Sequence, residues 1–450
     1  MSSSSDAVAT QWTQAGLGLP PYRRGPGSAG IAHIGVGNFH RAHQAVVLDS
    51  LMRQGEATGW GILGIGVLPG DVAMRDALSA QDHLYTLTLR QPAGIRETSV
   101  IGSIVDYVFA PDDADATIER LADPAIRIVS LTITEGGYVF DANDLSALTA
   151  FRLITSALAL RRKRSVPPFT VMSCDNVPQN GDVARSVVLD YARRVDPSLA
   201  DWIATEVRFP NSMVDRITPV TTAEDRAALK ERLGIDDAWP VSCEPFFQWV
   251  LEDSFSAGRP PFENSGVQIV DDVEPYELMK LRMLNAGHQA IAYFGLLLGY
   301  RYAHESAADP LVRDYLLAYL CREAMPTVPP VPGVDLDEYA SSLLDRFASV
   351  EVQDTLDRLA TDASNRLQKF VVPVIRANLQ GRGPIDLAVA VVASWSYYTE
   401  QTTGPDSVDV VTVLGDLADD ARVTDALART VRSMRELGAE ATLRALLARD

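Results

Sequence analysis

From Ile31 onward the first half of the chain alternates short apolar, β-branched runs with helical periods, and this alternation restricts the possible folds more than any other feature. Ile31 to Val36 reads as a strand, Asn38 to Gln54 as a helix and Trp60 to Leu68 as a second strand. Pro111-Asp112 is a good start signal for a helix running to Ala122. Ile126 to Ile133 has the continuous apolar character of a parallel strand buried on both faces. Leu153 to Lys163 is helical, Phe169 to Ser173 is another strand, and Gly181 to Arg194 another helix. Strand–helix alternation of this kind predicts a doubly wound α/β sheet.

The pattern does not continue to the end. After about residue 275 long helical periods dominate: Glu274 to Tyr300, Pro310 to Ala324, Leu336 to Phe347, Val352 to Ala363 and Ala388 to Thr399. A chain of 450 residues exceeds one ordinary core. The expectation is two domains: a Rossmann-like domain over residues 1–275 and a mostly α-helical one over 276–450. Residues 1–29 are polar or rich in Pro and Gly and predict a mobile arm packed on a domain. Beyond the four-serine start there is no low-complexity tract, and no internal repeat.

Composition narrows the function. Hydrophobic residues make up 47% of the chain and charged residues 22%, so both domains can bury a full core. The net charge is −19, which disfavours nucleic acid and anionic lipid as partners and sets no barrier to a neutral substrate. Cys174, Cys243 and Cys321 are odd in number and far apart, giving no disulfide framework and no zinc knuckle. A reducing, cytoplasmic setting fits them best. The N-terminus lacks a basic stretch followed by an apolar run, so no signal peptide is read there. The apolar stretch around Ala290 to Gly299 is too short to cross a membrane and reads as a buried helix. The helical periods show no obvious association stripe.

Three polar constellations could carry chemistry. Gly35-Val36-Gly37-Asn38-Phe39-His40 follows a strand and opens a helix, as a dinucleotide-binding turn does. His40 stands where the usual third glycine would be, and a Gly-x-Gly after a strand is also simply a tight turn. Arg41 beside the loop could add a phosphate contact. Asp71, after the second strand, is the candidate for the adenosine ribose, although its interval from Gly35 exceeds the usual ~20 residues. A carboxylate there accepts ribose hydroxyls and repels a 2′-phosphate, favouring NAD over NADP.

The second constellation is helical. At about 100° per residue, Glu277, Lys280, Asn285 and His288 fall within an arc of roughly 140° on an otherwise apolar helix. A lysine so desolvated has its charged form disfavoured, which suits a general base near neutral pH. The plainer alternative is a Glu277–Lys280 surface pair and a core histidine. The third is Ser173-Cys174-Asp175-Asn176 at a strand's C-terminal end, where open α/β sheets bind ligands; Asn176 could equally be a helix cap. Asn211 to Arg216 is a further polar cluster, or a loop ion pair.

These stretches resemble the mannitol 2-dehydrogenase family of long-chain polyol dehydrogenases. The resemblance rests on His33 to Gln44, Ser130-Leu131-Thr132-Ile133-Thr134-Glu135-Gly136-Gly137-Tyr138, Val171 to Asn176, Asn211 to Pro219, Glu244-Pro245-Phe246-Phe247-Gln248-Trp249 through Asp253, and Glu277 to His288. It implies an NAD-dependent, metal-independent oxidoreductase. Lys280 would be the general base. Asn176 and Asn285 would form an oxyanion hole. His288 and Asp215 would hold substrate hydroxyls, and Glu277 and Glu135 would exchange the lysine's proton with solvent. Arg358 and Arg366 match substrate-contacting positions. Gly35, Val36, Gly37, Asn38, Phe39, His40, Arg41 and Asp71 would bind the cofactor. D-mannitol oxidised to D-fructose is the implied reaction, with arabinitol dehydrogenases and the fructuronate and tagaturonate reductases as relatives. The run Ser364 to Phe370 looks more like the mannitol type, while the segment after Thr399 is shorter than in some of those enzymes. Two rivals of other classes are a zinc alcohol dehydrogenase using His40 and His43, and a non-catalytic NAD- or sugar-sensing protein. For the second, loss of Lys280 or of the amides would be expected.

Overall fold

A computed structural model describes residues 4–403 and 409–448. The first residues of the four-serine start, and part of the segment beyond Thr399, lie outside the described residues. The chain divides into two compact units, Met1–Val273 and Glu274–Asp450.

The first unit is built on a five-stranded sheet in which every pairing is parallel. Its order is Ile104–Phe109, Gly61–Gly66, Ala29–Ile34, Ile128–Leu131, Thr170–Ser173. The first strand in the chain is thus central, and the winding reverses beside it. That reversal opens the crevice outside the strand ends where such sheets bind ligands. Every residue of Ala29–Ile34 and Gly61–Gly66 is buried, as a sheet covered on both faces requires, so both read as continuous apolar runs.

Two small sheets complete the unit. Tyr85–Arg90 pairs antiparallel with Arg96–Ile101 and parallel with Val241–Cys243. Gln248–Glu252 lies between Ser212–Asp215 and Gln268–Val270. The cluster read as a loop ion pair is therefore largely strand. Arg216, just after it, gives its guanidinium to backbone instead: Nε to Glu244 O at 3.1 Å and Nη1 to Ala42 O at 2.8 Å.

The N-terminal arm packs on the unit as expected, and over Ser4–Gln14 it does so as a helix, which was not foreseen. Trp12 anchors it, fully buried against Leu84, Val100, Leu229 and Ile235, with its indole N–H donating to Asp236 O at 3.2 Å. Burying one indole supplies the apolar area that a polar arm otherwise lacks. The helix expected over Asn38–Gln54 is broken into Asn38–Ala42 and Gln44–Arg53. At the break His43 leaves helical backbone values (φ −124°, ψ −91°), and its imidazole is seated between Phe39 and Phe247 with Nε2 3.0 Å from Gln248 O.

His40 packs the first of these helices onto the sheet. Its ring stacks on that of His33 in the central strand, centroids 3.5 Å apart and planes within 9°. Where the usual third glycine would leave the helix bare, a flat ring-on-ring contact fills the space between helix and strand. His33 Nδ1 lies 2.8 Å from Ser130 Oγ and Nε2 2.9 Å from Thr132 Oγ1. Burial drives the His33 imidazole down to about 3, and it holds His40 well below its ordinary value, helped by the charges of His33, Arg41 and His43.

The second unit is helical. Ala286–Leu297 is mostly apolar, largely buried, and touches Ala303–Ala308, Leu356–Ala360 and Asp386–Thr403. Three helical runs contain wide π-turns, at Lys280–Asn285, Tyr319–Ala324 and Leu367–Val371. The helix expected over Val352–Ala363 shrinks to Leu356–Ala360. Thr355 caps its start through Oγ1, and Asp362 beyond its end adopts a left-handed conformation (φ +57°). Ala421–Leu447 ends the described fold and turns at Gly438.

Glu323, inside the second π-turn, is almost fully buried and caps another helix from the side. Its two carboxylate oxygens accept the amides of Leu387 and Ala388, at 2.8 and 2.7 Å. Glu323→Ala leaves both amides buried without acceptors and is expected to cost about 2–3 kcal/mol in urea unfolding. An unchanged unfolding midpoint would contradict this.

The histidine pair gives a pH signature. Imidazoles in the unfolded chain take protons near 6.5, and these two in the fold do not until far lower pH. Stability is therefore full above pH 6.5 and falls as pH drops from there toward 3, by up to about 1.4 kcal/mol per pH unit for each excluded proton. Unfolding free energies at pH 7, 6 and 5 should decline, and more gently in His33→Gln. A pH-independent value, or equal slopes, refutes the assignment.

Candidate active site

The candidate nucleotide loop begins at Gly35, where φ is +94° and a Cβ would lie 2.2 Å from Thr132 O. Only glycine can stand there. Two residues on, a Cβ added to Gly37 would meet nothing nearer than Gly35 O at 3.9 Å. Gly37 thus leaves a backbone cradle of the kind a pyrophosphate occupies, directly before the helix start at Asn38. The residues present fit that group.

The side chains beyond the loop are committed inward. Asn38 donates its amide to Pro219 O at 3.0 Å and to Thr221 Oγ1 at 2.9 Å. Arg41 is fully buried. It bonds Asn38 Oδ1 at 2.7 Å and Trp239 O, and lies over the Tyr85 ring at 5.1 Å. Its guanidinium braces the loop from within rather than presenting itself to a phosphate. His40 is stacked on His33, and His43 is held by Gln248. Among the described residues no group of three or more His, Cys, Asp or Glu side chains is placed to hold a metal ion.

Asp71 begins the helix Asp71–Ala80 at the end of the second strand. Its Oδ2 accepts the amides of Val67 and Leu68 at 2.8 and 2.9 Å, which fixes the carboxylate at the tip of that turn.

Asn176 follows the strand Thr170–Ser173 and is exposed. It is not the cap of the next helix, Asn180–Val195; Asn211 is, its Oδ1 accepting Gly181 N at 2.9 Å. Asn180 instead ties Asp175 O to Ser212 through its side-chain amide. Asp215 closes the strand Ser212–Asp215 and is buried. Glu135 is exposed in the short turn Glu135–Tyr138, after the strand Ile128–Leu131.

In the second unit, Glu277 lies on the helix Glu274–Met279, and Lys280 and Asn285 bound the π-turn. A π-turn accommodates one extra residue without changing the helix axis. Counting that residue out narrows the arc holding Glu277, Lys280, Asn285 and His288 from roughly 140° to about 80°. The straight-helix expectation is corrected in the direction that concentrates the polar face. Glu277, Lys280 and Asn285 are buried, and His288 is stacked on Phe347 with centroids 4.2 Å apart. Among the described residues nothing accepts a hydrogen bond from Asn285 Nδ2, although that donor is buried. A buried amide left so is costly and marks a place for a ligand oxygen.

The two arginines differ. Arg358 is exposed and gripped by both oxygens of Asp354. Arg366 reaches Leu359 O at 3.5 Å. The π-turn and the roles of Phe347 and Asp354 were not foreseen from sequence. A π-turn leaves no mark in hydrophobic periodicity at this length. The sequence did place Asp175 beside Asn176, without a function for it.

Comparison with known proteins places the chain firmly. Residues 29–264 match the family model described as the mannitol dehydrogenase Rossmann domain, and residues 272–448 match its C-terminal domain. The mannitol 2-dehydrogenase of Aspergillus fumigatus is 45% identical over 403 residues, covering 84% of this chain and 80% of the relative. That of Phaeosphaeria nodorum is 41% identical over 94% of this chain and 82% of its own length. Among solved structures, the Pseudomonas fluorescens mannitol 2-dehydrogenase in ternary complex with NAD and D-mannitol superposes with a TM-score of 0.85 at 41% identity, covering 96% and 95% of the two chains. A substrate-free D-sorbitol dehydrogenase superposes with a TM-score of 0.87 at 34% identity, covering 96% and 99%. With both halves matched in order on a doubly wound sheet followed by a helical unit, this chain belongs to the mannitol dehydrogenase family.

Proposed function

We propose that this protein is an NAD-dependent polyol dehydrogenase that oxidises the C2 hydroxyl of D-mannitol to the ketone of D-fructose, reversibly. The observation that carries the reading is the buried, unpartnered amide donor of Asn285, on the same π-turn as a buried lysine. Family membership supplies the substrate class, and the mannitol 2-dehydrogenases among the relatives favour mannitol.

Lys280 Nζ takes the proton of the reacting hydroxyl. The side-chain amides of Asn176 and Asn285 donate to the oxygen as it gains charge. Asp215 and His288 hold neighbouring hydroxyls, while Glu277 and Glu135 pass the lysine's proton to solvent. Arg366 and the Asp354-paired Arg358 complete the substrate contacts. The backbone from Gly35 to Phe39 receives the pyrophosphate, and Asp71 the adenosine ribose, favouring NAD over its 2′-phosphorylated form. NAD⁺, when bound, supplies the hydride acceptor. Tight docking of a positioned lysine and two amides stands in for the polarising charge that zinc provides in other alcohol dehydrogenases.

Lys280→Ala should lower kcat with D-mannitol about 10²–10⁴-fold while NADH still binds. Asn285→Ala should lower it about 10²–10³-fold. Near-normal turnover of Lys280→Ala at neutral and alkaline pH would falsify the mechanism.

The likeness to a D-sorbitol dehydrogenase favours a second reading of the substrate. Sorbitol and mannitol differ only in configuration at C2, so the two readings separate on kcat/KM. D-mannitol should exceed D-sorbitol and arabinitol with NAD⁺, and fructose should exceed fructuronate with NADH. A reversed order moves the assignment to the other polyol. Failure to reduce NAD⁺ with any polyol favours a binding protein.

A further inference from the structure

Asp175 is buried at 6% exposure beside Asn176, and the mechanism above gives it no part. Every bond its carboxylate makes goes to one loop, the segment Thr132–Tyr138 that follows the neighbouring strand. Oδ1 accepts Thr134 N at 2.7 Å, and Oδ2 accepts Ile133 N at 3.1 Å and Tyr138 O–H at 2.7 Å. The Tyr138 hydroxyl also lies 2.6 Å from Ser173 Oγ. The loop is thereby pinned at both ends, with Glu135 between the pins.

The backbone needs such pinning. Thr134 sits at φ +61°, ψ 170°, a region that a β-branched residue rarely enters. Conformations of this kind persist only where their surroundings over-determine them, and they gather at functional sites. Here the amide of the strained residue itself donates to Asp175. The same loop also leans on the nucleotide turn. Thr132 O–H donates to Gly35 O at 2.8 Å, and Thr132 O fills the space a Gly35 Cβ would need.

We infer that Asp175 is a positioning residue which acts through Glu135, holding the strained Thr132–Tyr138 loop so that the Glu135 carboxylate stays where it exchanges the catalytic lysine's proton with solvent. This rests on the proposed role of Glu135. A carboxylate is suited to the task because two backbone amides and a phenol converge on it, and an amide side chain would turn an N–H₂ toward one of those donors. The role is distinct from a fold staple: a staple changes stability, whereas a positioning residue changes the protonation behaviour of the reaction.

The test is a double-mutant cycle between Asp175→Asn and Glu135→Gln. Tyr138→Phe serves as a milder third variant that removes one bond of the three. Circular dichroism and NADH fluorescence titration establish that each variant folds and binds cofactor. Asp175→Asn is expected to lower kcat with D-mannitol by about tenfold, to leave KM within about threefold, and to displace the kcat–pH profile. In the Glu135→Gln background the same change should cost less than about threefold, because the group it positions is already gone. A wild-type pH profile in Asp175→Asn, or effects that multiply in full in the double variant, would overturn the inference. Should Asp175→Asn not fold, Tyr138→Phe carries the same test, with a smaller displacement of the profile expected and none overturning it. If Lys280→Ala retains turnover, the parent reading fails instead. If Lys280→Ala is inactive while Asp175→Asn keeps its profile, only this inference falls.

Discussion

The carbonyl of Thr132 stands 2.2 Å from where a side chain on Gly35 would begin, and much of the first unit is arranged around that approach. It brings the end of the central strand against the loop that leaves the neighbouring strand, at the point where the sheet's winding reverses. That loop bonds Gly35 O through the Thr132 hydroxyl, and His40, in the helix that follows the turn, is stacked on His33 of the central strand. Arg41 and Asn38 brace the turn through bonds to Trp239, Pro219 and Thr221. The loop's own conformation is then fixed by Asp175. One chain of contacts therefore runs from the Gly35 turn to the loop that carries Glu135 and to the strand end that carries Asn176.

The second unit meets a different constraint. The mostly apolar helix Ala286–Leu297 is largely buried, yet the turns that lead into it carry an acid, a lysine and an amide. The π-turn reconciles the two demands by gathering the polar groups on one narrow face and leaving the rest of the helix to the core. Wide turns of this kind cost hydrogen-bond geometry and recur at functional sites for that reason. Tyr319 O–H, donating to Arg282 O at 3.2 Å, ties two of the three π-turns of this unit together.

Four strands of the doubly wound sheet were legible because they are buried apolar runs bounded by glycine or polar turns, whereas the edge strand Ile104–Phe109, interrupted by Asp106 and half-buried in part, was not foreseen. The six strands of the two small sheets were not legible either, being three to six residues long, with all but the buried Ser212–Asp215 partly exposed. Hydrophobic periodicity located Lys280, Asn285 and His288 on one helix but assumed a straight one, since nothing local distinguishes a π-turn. Arg41 looked like a phosphate ligand because its position suggests one; its burial depends on Trp239 and Tyr85, far away in sequence. Asp175 was visible as a residue and invisible as a role, because its partners lie about forty residues earlier.

The central claim is that Lys280, Asn176 and Asn285 act on one substrate oxygen while the Gly35–Phe39 turn holds the cofactor. A crystal structure of this protein with NAD⁺ and D-mannitol addresses it directly. The account predicts the C2 oxygen within about 3 Å of Lys280 Nζ and of both side-chain amides, with the pyrophosphate against Gly37. A C2 oxygen seated away from Lys280, or an Asn285 amide that finds another partner in the complex, would contradict it.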